Sequence, residues 1–330
     1  MRRFSRPAGS TIESRQGAFY FMNIKYDERE TPMDLTPDMI ARLDRVLRSV
    51  EQLLPKPTND VNWEQCYAAN WRRHSFSGFL EPVKVTDSTR LEELLGVEKQ
   101  VETMVKNTRQ FIAGLPANNA LMWGSRGTGK SSLVKALLNK FAPEGLRIIQ
   151  VEKEDLVYLA EIFAAVEHQP YRFILLCDDL TFEVGELSYK MLKSALDGSV
   201  YSAPENVLIY VTSNRRYLLP QLESDKLGGA YVNGELQQGE IMEEKSSLSD
   251  RFGLWVAFHV FTQERFIDAV RLSIERFARE LGTEIPWSKE LELEAIQWTH
   301  DKSKRCGRTA YQFSKNYVGR YLLERKDKVA

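Results

Sequence analysis

Residues 118–132 read NNALMWGSRGTGKSS, a short apolar run that ends in glycines, an arginine, a lysine and hydroxyls. Gly124, Gly129, Lys130 and Ser131 fill the pattern GxxxxGK[ST], and the following KSSLVKALLNKF has helical character. Alone, the glycine stretch reads as a surface turn. Between a strand and a helix it reads as a cradle for the phosphates of a nucleotide. Gly124, Gly127 and Gly129 let the backbone take positive φ and approach an anion with no Cβ in the way. The amides of Ser125, Arg126, Thr128 and Ser132, with those of the glycines, are then expected to face the phosphates at the positive end of the helix. Lys130 supplies a point charge for the β- and γ-phosphates, and Ser131 a hydroxyl for a bridging Mg²⁺.

A second element is needed to hold the metal. In RFILLCDD, residues 172–179, four apolar residues and Cys177 run into Asp178-Asp179. An acidic pair at the end of a buried strand is costly unless something cationic sits there. Asp178 is therefore expected near Mg²⁺ and Asp179 next to the attacking water. An acidic helix cap is the plainer alternative. A fourth strand ends in Thr212-Ser213-Asn214, which places Asn214 where an amide can reach the water or the γ-phosphate.

Around these motifs the chain alternates apolar strands (118–123, 146–151, 172–177, 207–212 and 254–261) with helical stretches, as in a parallel sheet covered on both faces. The start of the chain carries no pattern. A helix is expected from the Thr36 cap and Pro37, with Ile40, Leu43, Val46, Leu47 and Val50 on one face. Trp63, Tyr67 and Trp71, four apart, predict a second helix with an aromatic stripe. The segment 221–247 has no period and is long for a connector. Beyond 262 three helical stretches follow. The expected organisation is a mainly helical extension (1–88), an α/β nucleotide-binding domain (89–262) and a helical lid (263–330).

Composition narrows the classes. The formal net charge is −1, which does not favour a nucleic-acid partner without excluding a local basic patch. Three scattered cysteines, with no CxxC pair, suit a reducing compartment and no disulfide framework. No apolar run reaches the roughly 20 residues that span a bilayer, so a cytoplasmic protein without membrane contact is expected.

With these residues assembled, the chain resembles the AAA+ ATPase superfamily, and within it the bacterial domain-of-unknown-function 815 family. GLPANNALMWGSRGTGKSSLVKALL, GLRIIQVEKEDL, RFILLCDDLTFE, NVLIYVTSNRRYLLP and SLSDRFGLW carry the resemblance. It implies a P-loop sheet of strand order 5-1-4-3-2 with a small helical lid, ATP and Mg²⁺ as ligands, and a ring or arc of identical subunits. It also implies that Leu95 and Gly96 pack on adenine, that Arg251 reaches a neighbouring subunit's γ-phosphate, and that Arg308 acts from the lid as the second sensor. Such proteins usually end the third strand in Asp-Glu, whereas this chain has Asp178-Asp179, so either the backbone sits closer, or Glu183 substitutes, or turnover is slow.

An ATP-driven machine acting on an unidentified protein client is the leading expectation. A nucleotide-gated scaffold with little turnover and a loader or initiator working on DNA are the alternatives. A small-molecule kinase ranks last, because it has no use for the two late arginines. Tyr158-Leu159-Ala160 lacks the glycine of a threading pore loop, which weakens an unfoldase reading.

Overall fold

The structure, a computed structural model, describes residues 36–53, 61–74, 77–84, 88–183, 185–197, 203–219, 230–232, 235–237, 248–302 and 304–327. Most of 221–247 lies outside them; within it Ala230–Val232 and Glu235–Gln237 pair as antiparallel strands, β7 and β8. Contacts divide the chain into a unit of residues 1–52 and a unit of residues 53–330. The first contributes the helix α1 (Pro37–Leu53), whose first-turn amide of Met39 donates to the Thr36 hydroxyl at 3.4 Å, the cap read from the sequence.

In the second unit the sheet has seven strands: β1 (Ala68–His74), β2 (Ser77–Val83), β3 (Ala120–Gly124), β4 (Leu146–Gln150), β5 (Arg172–Cys177), β6 (Val207–Ser213) and β9 (Leu254–Phe258). Their spatial order is β2-β1-β4-β5-β6-β3-β9. The order of the whole sheet therefore differs from the expected 5-1-4-3-2 by two strands added beyond β4. The five expected strands succeed one another within it as anticipated, all parallel.

Alternation along each strand feeds two separate cores. Leu121, Ile149, Phe173, Leu175, Ile209 and Val211 face the layer of α4 (Leu159–Val166) and α5 (Leu187–Leu196). Ala120, Met122, Ile174, Leu176, Tyr210 and Val256 face α2 (Glu98–Ile112) and α3 (Lys130–Phe141). Period-two burial on both sides is why these strands read as unbroken apolar runs. A third core, with Phe266, Val270, Ile274, Ala310 and Phe313, joins α6 (Gln263–Glu280), α7 (Lys289–Lys302) and α8 (Gly307–Asp327) into the lid.

The aromatic-stripe helix is overturned. Residues 63–65 form a turn, and 68–74 are β1, paired antiparallel with β2 and parallel with β4. Trp63 packs edge-on against Phe173, and Trp71 lies buried over Gly78. Tyr67, the middle of the supposed stripe, is 43% exposed. Spacing of four imitates one helical face, but pairing along β4 decides the conformation, and a strand puts Ala69 and Trp71 on the buried side at spacing two. The mainly helical extension expected up to residue 88 thus contains a hairpin that belongs to the sheet.

Candidate functional site

The loop after β3 is built as its glycines require. Gly124, Gly127 and Gly129 have φ of 139°, 79° and 103°. At Gly124 a Cβ would stand 1.9 Å from the carbonyl oxygen of Phe258 on β9, a backbone atom that cannot rotate aside. Gly124→Ala is therefore expected to destabilise the protein by about 3 kcal/mol or more, from the strained φ plus the overlap, readable as a lower midpoint in a thermal melt. At Gly127 a Cβ would meet Cys306 and Arg308 of the lid at 2.8 Å, and the Gly127 carbonyl accepts the Arg308 amide at 3.1 Å. The tip of the loop and the start of α8 are thus in contact.

Lys130 is buried and donates through Nζ to the carbonyls of Gly124 (2.8 Å) and Ser125 (2.9 Å) and to Asn214 Oδ1 (3.3 Å). Burial lowers its pKa from the ordinary lysine value; Asp179 and Asp178 work against that shift, and Arg308 and Arg126 add to it. Thr128 closes the loop by donating to the Ser125 carbonyl at 2.8 Å. One carboxylate oxygen of Asp178 accepts from both Ser131 and Thr212, each at 2.5 Å.

Asp179 follows with φ of 54°, the one positive-φ non-glycine among the described residues. Its amide donates to Thr212 Oγ1 at 2.9 Å, and the Leu180 amide to the Thr212 carbonyl at 2.8 Å. The turn after β5 is thereby tied to the end of β6. Its carboxylate accepts from Asn214 Nδ2 and from Arg126 Nη2 (3.3 Å). Glu183, one of three alternatives raised by the Asp178-Asp179 pair, is exposed and is not among the residues that line the cavity.

These groups open into one cavity of about 950 Å³ between sheet and lid. Arg126, Lys130, Lys135, Arg276, Arg279 and Arg308 line it, against Asp178, Asp179 and Glu93. A chain of net charge −1 has gathered an excess of positive charge in one place, suited to a polyanion. Leu94, Leu95 and Val97 give the cavity an apolar stretch of wall. Gly96 is not in the wall: its carbonyl accepts from Arg265 of α6 at 3.3 Å. Arg251 is not brought to the cavity either; its Nε pairs with Asp197 at the end of α5.

Sequence reading missed Arg276, Arg279, Lys135 and Glu93 as lining residues, since nothing in an amphipathic helix says which neighbour its polar flank will meet. The donor set also fits the cation the loop implies. Ser131 and Asp178 are hard oxygen donors side by side, suited to Mg²⁺ that takes its remaining ligands from phosphate and water. No group of three His, Cys, Asp or Glu able to hold a metal unaided occurs among the described residues.

A glycine loop between β3 and α3, a central strand ending in paired carboxylates, this strand succession and a three-helix lid define a P-loop α/β fold of the AAA+ arrangement. Residues 64–321 match the family described as Protein of unknown function (DUF815), and the chain belongs to that family. Among curated relatives, "Uncharacterized protein R776" of Acanthamoeba polyphaga mimivirus is 23% identical over 164 residues, 49% of this chain and 51% of that protein. The Replication factor C large subunit of Ignicoccus hospitalis is 34% identical over 61 residues, 18% of this chain and 13% of its own. The chain thus spans about half the length of the first relative and much less of the second. Similar solved structures include the Thermotoga maritima RuvB Holliday junction branch migration motor (TM-score 0.45, 16% identity, 68% of this chain and 63% of that one). The replication initiator DnaA bound to AMPPCP and single-stranded DNA is another (TM-score 0.45, 19% identity, 72% and 68%). No described helix is long and apolar enough to cross a membrane.

Proposed function

We propose that the chain binds ATP with Mg²⁺ in the cavity between sheet and lid and hydrolyses it, working beside further copies of itself to drive a conformational change in a protein client. The observation that carries the reading is the convergence on one cavity of the Arg126–Ser132 stretch, buried Lys130, the Ser131–Asp178 pair and the lid arginine Arg308. In this reading the loop amides and Lys130 hold the β- and γ-phosphates, and Arg308 senses them from the lid. The apolar wall at Leu95 receives the base, with Gly96 supporting it from behind. Magnesium, when bound, neutralises phosphate charge and would be held by Ser131, with Asp178 orienting that hydroxyl. Asp179 accepts the proton of the attacking water, or orients it, and Asn214 fixes that carboxylate. Calorimetry of the intact chain with ATP and magnesium, followed by phosphate release, tests the proposal. The expected result is saturable heat and measurable turnover, and no heat at all overturns it.

Arg251 supports an assembly. In this reading Arg251, outside its own cavity and paired with Asp197, turns to another subunit's nucleotide, where an added cation is worth orders of magnitude in rate. Arg251→Ala is expected to lower turnover by about 100-fold or more with ATP affinity retained. In mixtures with the Lys130→Ala chain, turnover should partly return, because a Lys130→Ala subunit keeps a working Arg251 for its neighbour. Mixtures no faster than the average of the two variants alone would refute a trans role.

A second reading, a nucleotide-gated scaffold with little turnover, is favoured by one feature. Asp179 is a methylene shorter than glutamate, and its carboxylate is already engaged by Asn214 and Arg126. Nucleotide binding with phosphate release unaffected by substitution at Asp179 would establish it. Neither reading gains a nucleic-acid client from a chain of net charge −1.

A further inference from the structure

Arg276 lies on α6, three turns beyond Arg265, and both reach across from the lid to the rim that leads into α2. Arg265 Nη1 donates to the Gly96 carbonyl at 3.3 Å. Arg276 Nη1 donates to Glu93 Oε2 at 3.3 Å and its Nη2 to the Ser88 hydroxyl at 3.3 Å, while Nε pairs with Glu280 at 2.9 Å on its own helix. Glu93 is a firm anchor. Its side chain is only 14% exposed, and it also accepts from the Arg90 amide and Nε, both at 3.2 Å. Such a shielded, multiply bonded carboxylate loses less to solvent screening than an exposed surface pair does.

The two arginines are eleven residues apart, about 16 Å along a helix. Between them α6 presents Ala269 and Leu272 to the cavity, and the rim presents Leu94, Leu95 and Val97. Two polar staples therefore flank an apolar slot, and the staples set how far apart its walls stand. From this arrangement we infer that Arg276, through Glu93 and Ser88, is a positioning residue that fixes the width of the slot for the flat base of the nucleotide. The inference rests on the nucleotide-binding reading and adds a determinant of affinity at the base end, remote from the phosphates.

That location dictates the test. A staple at the base end acts on what ATP and ADP share, so its loss must weaken both by the same factor. Arg308 lies at the phosphate end, so its loss must change the ratio of the two affinities. Calorimetry with ATP·Mg²⁺ and ADP·Mg²⁺ is run on the wild-type chain, Arg276→Ala, Arg276→Lys, Glu93→Ala and the Arg276→Ala/Glu93→Ala double variant, with melting temperature as the folding control. Expected is a loss of about 10-fold for both nucleotides in each alanine variant, an unchanged ATP-to-ADP ratio, and no further loss in the double variant. Arg276→Lys, which keeps the charge on a flexible stem without the fork, should recover part of the loss. Wild-type affinity retained in Arg276→Ala, an altered ratio, or additive losses in the double variant would each overturn the inference while leaving nucleotide binding intact. Absence of binding by the wild-type chain would instead remove the underlying reading. If the alanine variants melt early, the Arg276→Lys ratio and a Ser88→Ala variant decide alone.

Discussion

Lys130→Ala is expected to weaken ATP·Mg²⁺ binding by about 100-fold or more, the ~3 kcal/mol carried by a charge-assisted contact shielded from water. Calorimetry checks the affinity, and the wild-type rise in melting temperature with ATP should vanish in the variant. The size of the effect follows from where the amine stands. Nζ is held by the carbonyls of Gly124 and Ser125, in the loop that lines the cavity from Arg126 onward. Burial already disfavours its charge, and phosphate oxygens would restore what burial removed. The sign of the pH dependence follows. Binding raises the Lys130 pKa above its lowered free value, so ATP affinity is fully present below that free value and falls as pH rises through it towards the alkaline side. A flat profile there, or an affinity that grows with pH, would exclude Lys130 as the phosphate-binding cation.

Asp179→Asn is expected to separate binding from turnover. ATP affinity should stay near wild type, while phosphate release falls by about 100- to 10,000-fold, the range for losing a group that accepts or orients a reacting proton. Asparagine is chosen because residue 179 sits at φ of 54°, a conformation asparagine tolerates and alanine does not, so the variant should fold. It also keeps one oxygen, enough for one of the two contacts that Oδ1 and Oδ2 now make with Asn214 and Arg126. Single-turnover phosphate release with the thermal melt as control is the measurement. Turnover unchanged in Asp179→Asn would transfer the chain to the nucleotide-gated scaffold reading.

Much of this site is legible in the sequence. The loop, the acidic pair and the asparagine at the end of β6 are local patterns, and each follows a strand visible as an apolar run. Parallel strands with helices between them bring their C-terminal ends to one edge of the sheet, so three motifs far apart in sequence could be expected to meet. Arg308 was found in the cavity as well, whereas Arg251 was not. Gly96 accepts from Arg265 instead of lining the wall. Glu183, an exposed residue outside the cavity, offers nothing in place of a longer carboxylate.

What remained hidden depended on docking. Trp63, Tyr67 and Trp71 keep a spacing that a helix and a strand-with-turn both allow, and only the open edge of β4 selects the strand. Arg276 and Glu93 are 183 residues apart, each unremarkable in its own segment, until the lid folds back over the rim. The sequence by itself determined the phosphate end, because gripping an anion demands particular residues at fixed spacing along one continuous stretch of chain. Only the tertiary structure decided the Arg276–Glu93 end of the cavity and the added strands β1 and β2, because those depend on which surfaces meet, and apolar contact and long-range ion pairs leave no spacing for a sequence to display.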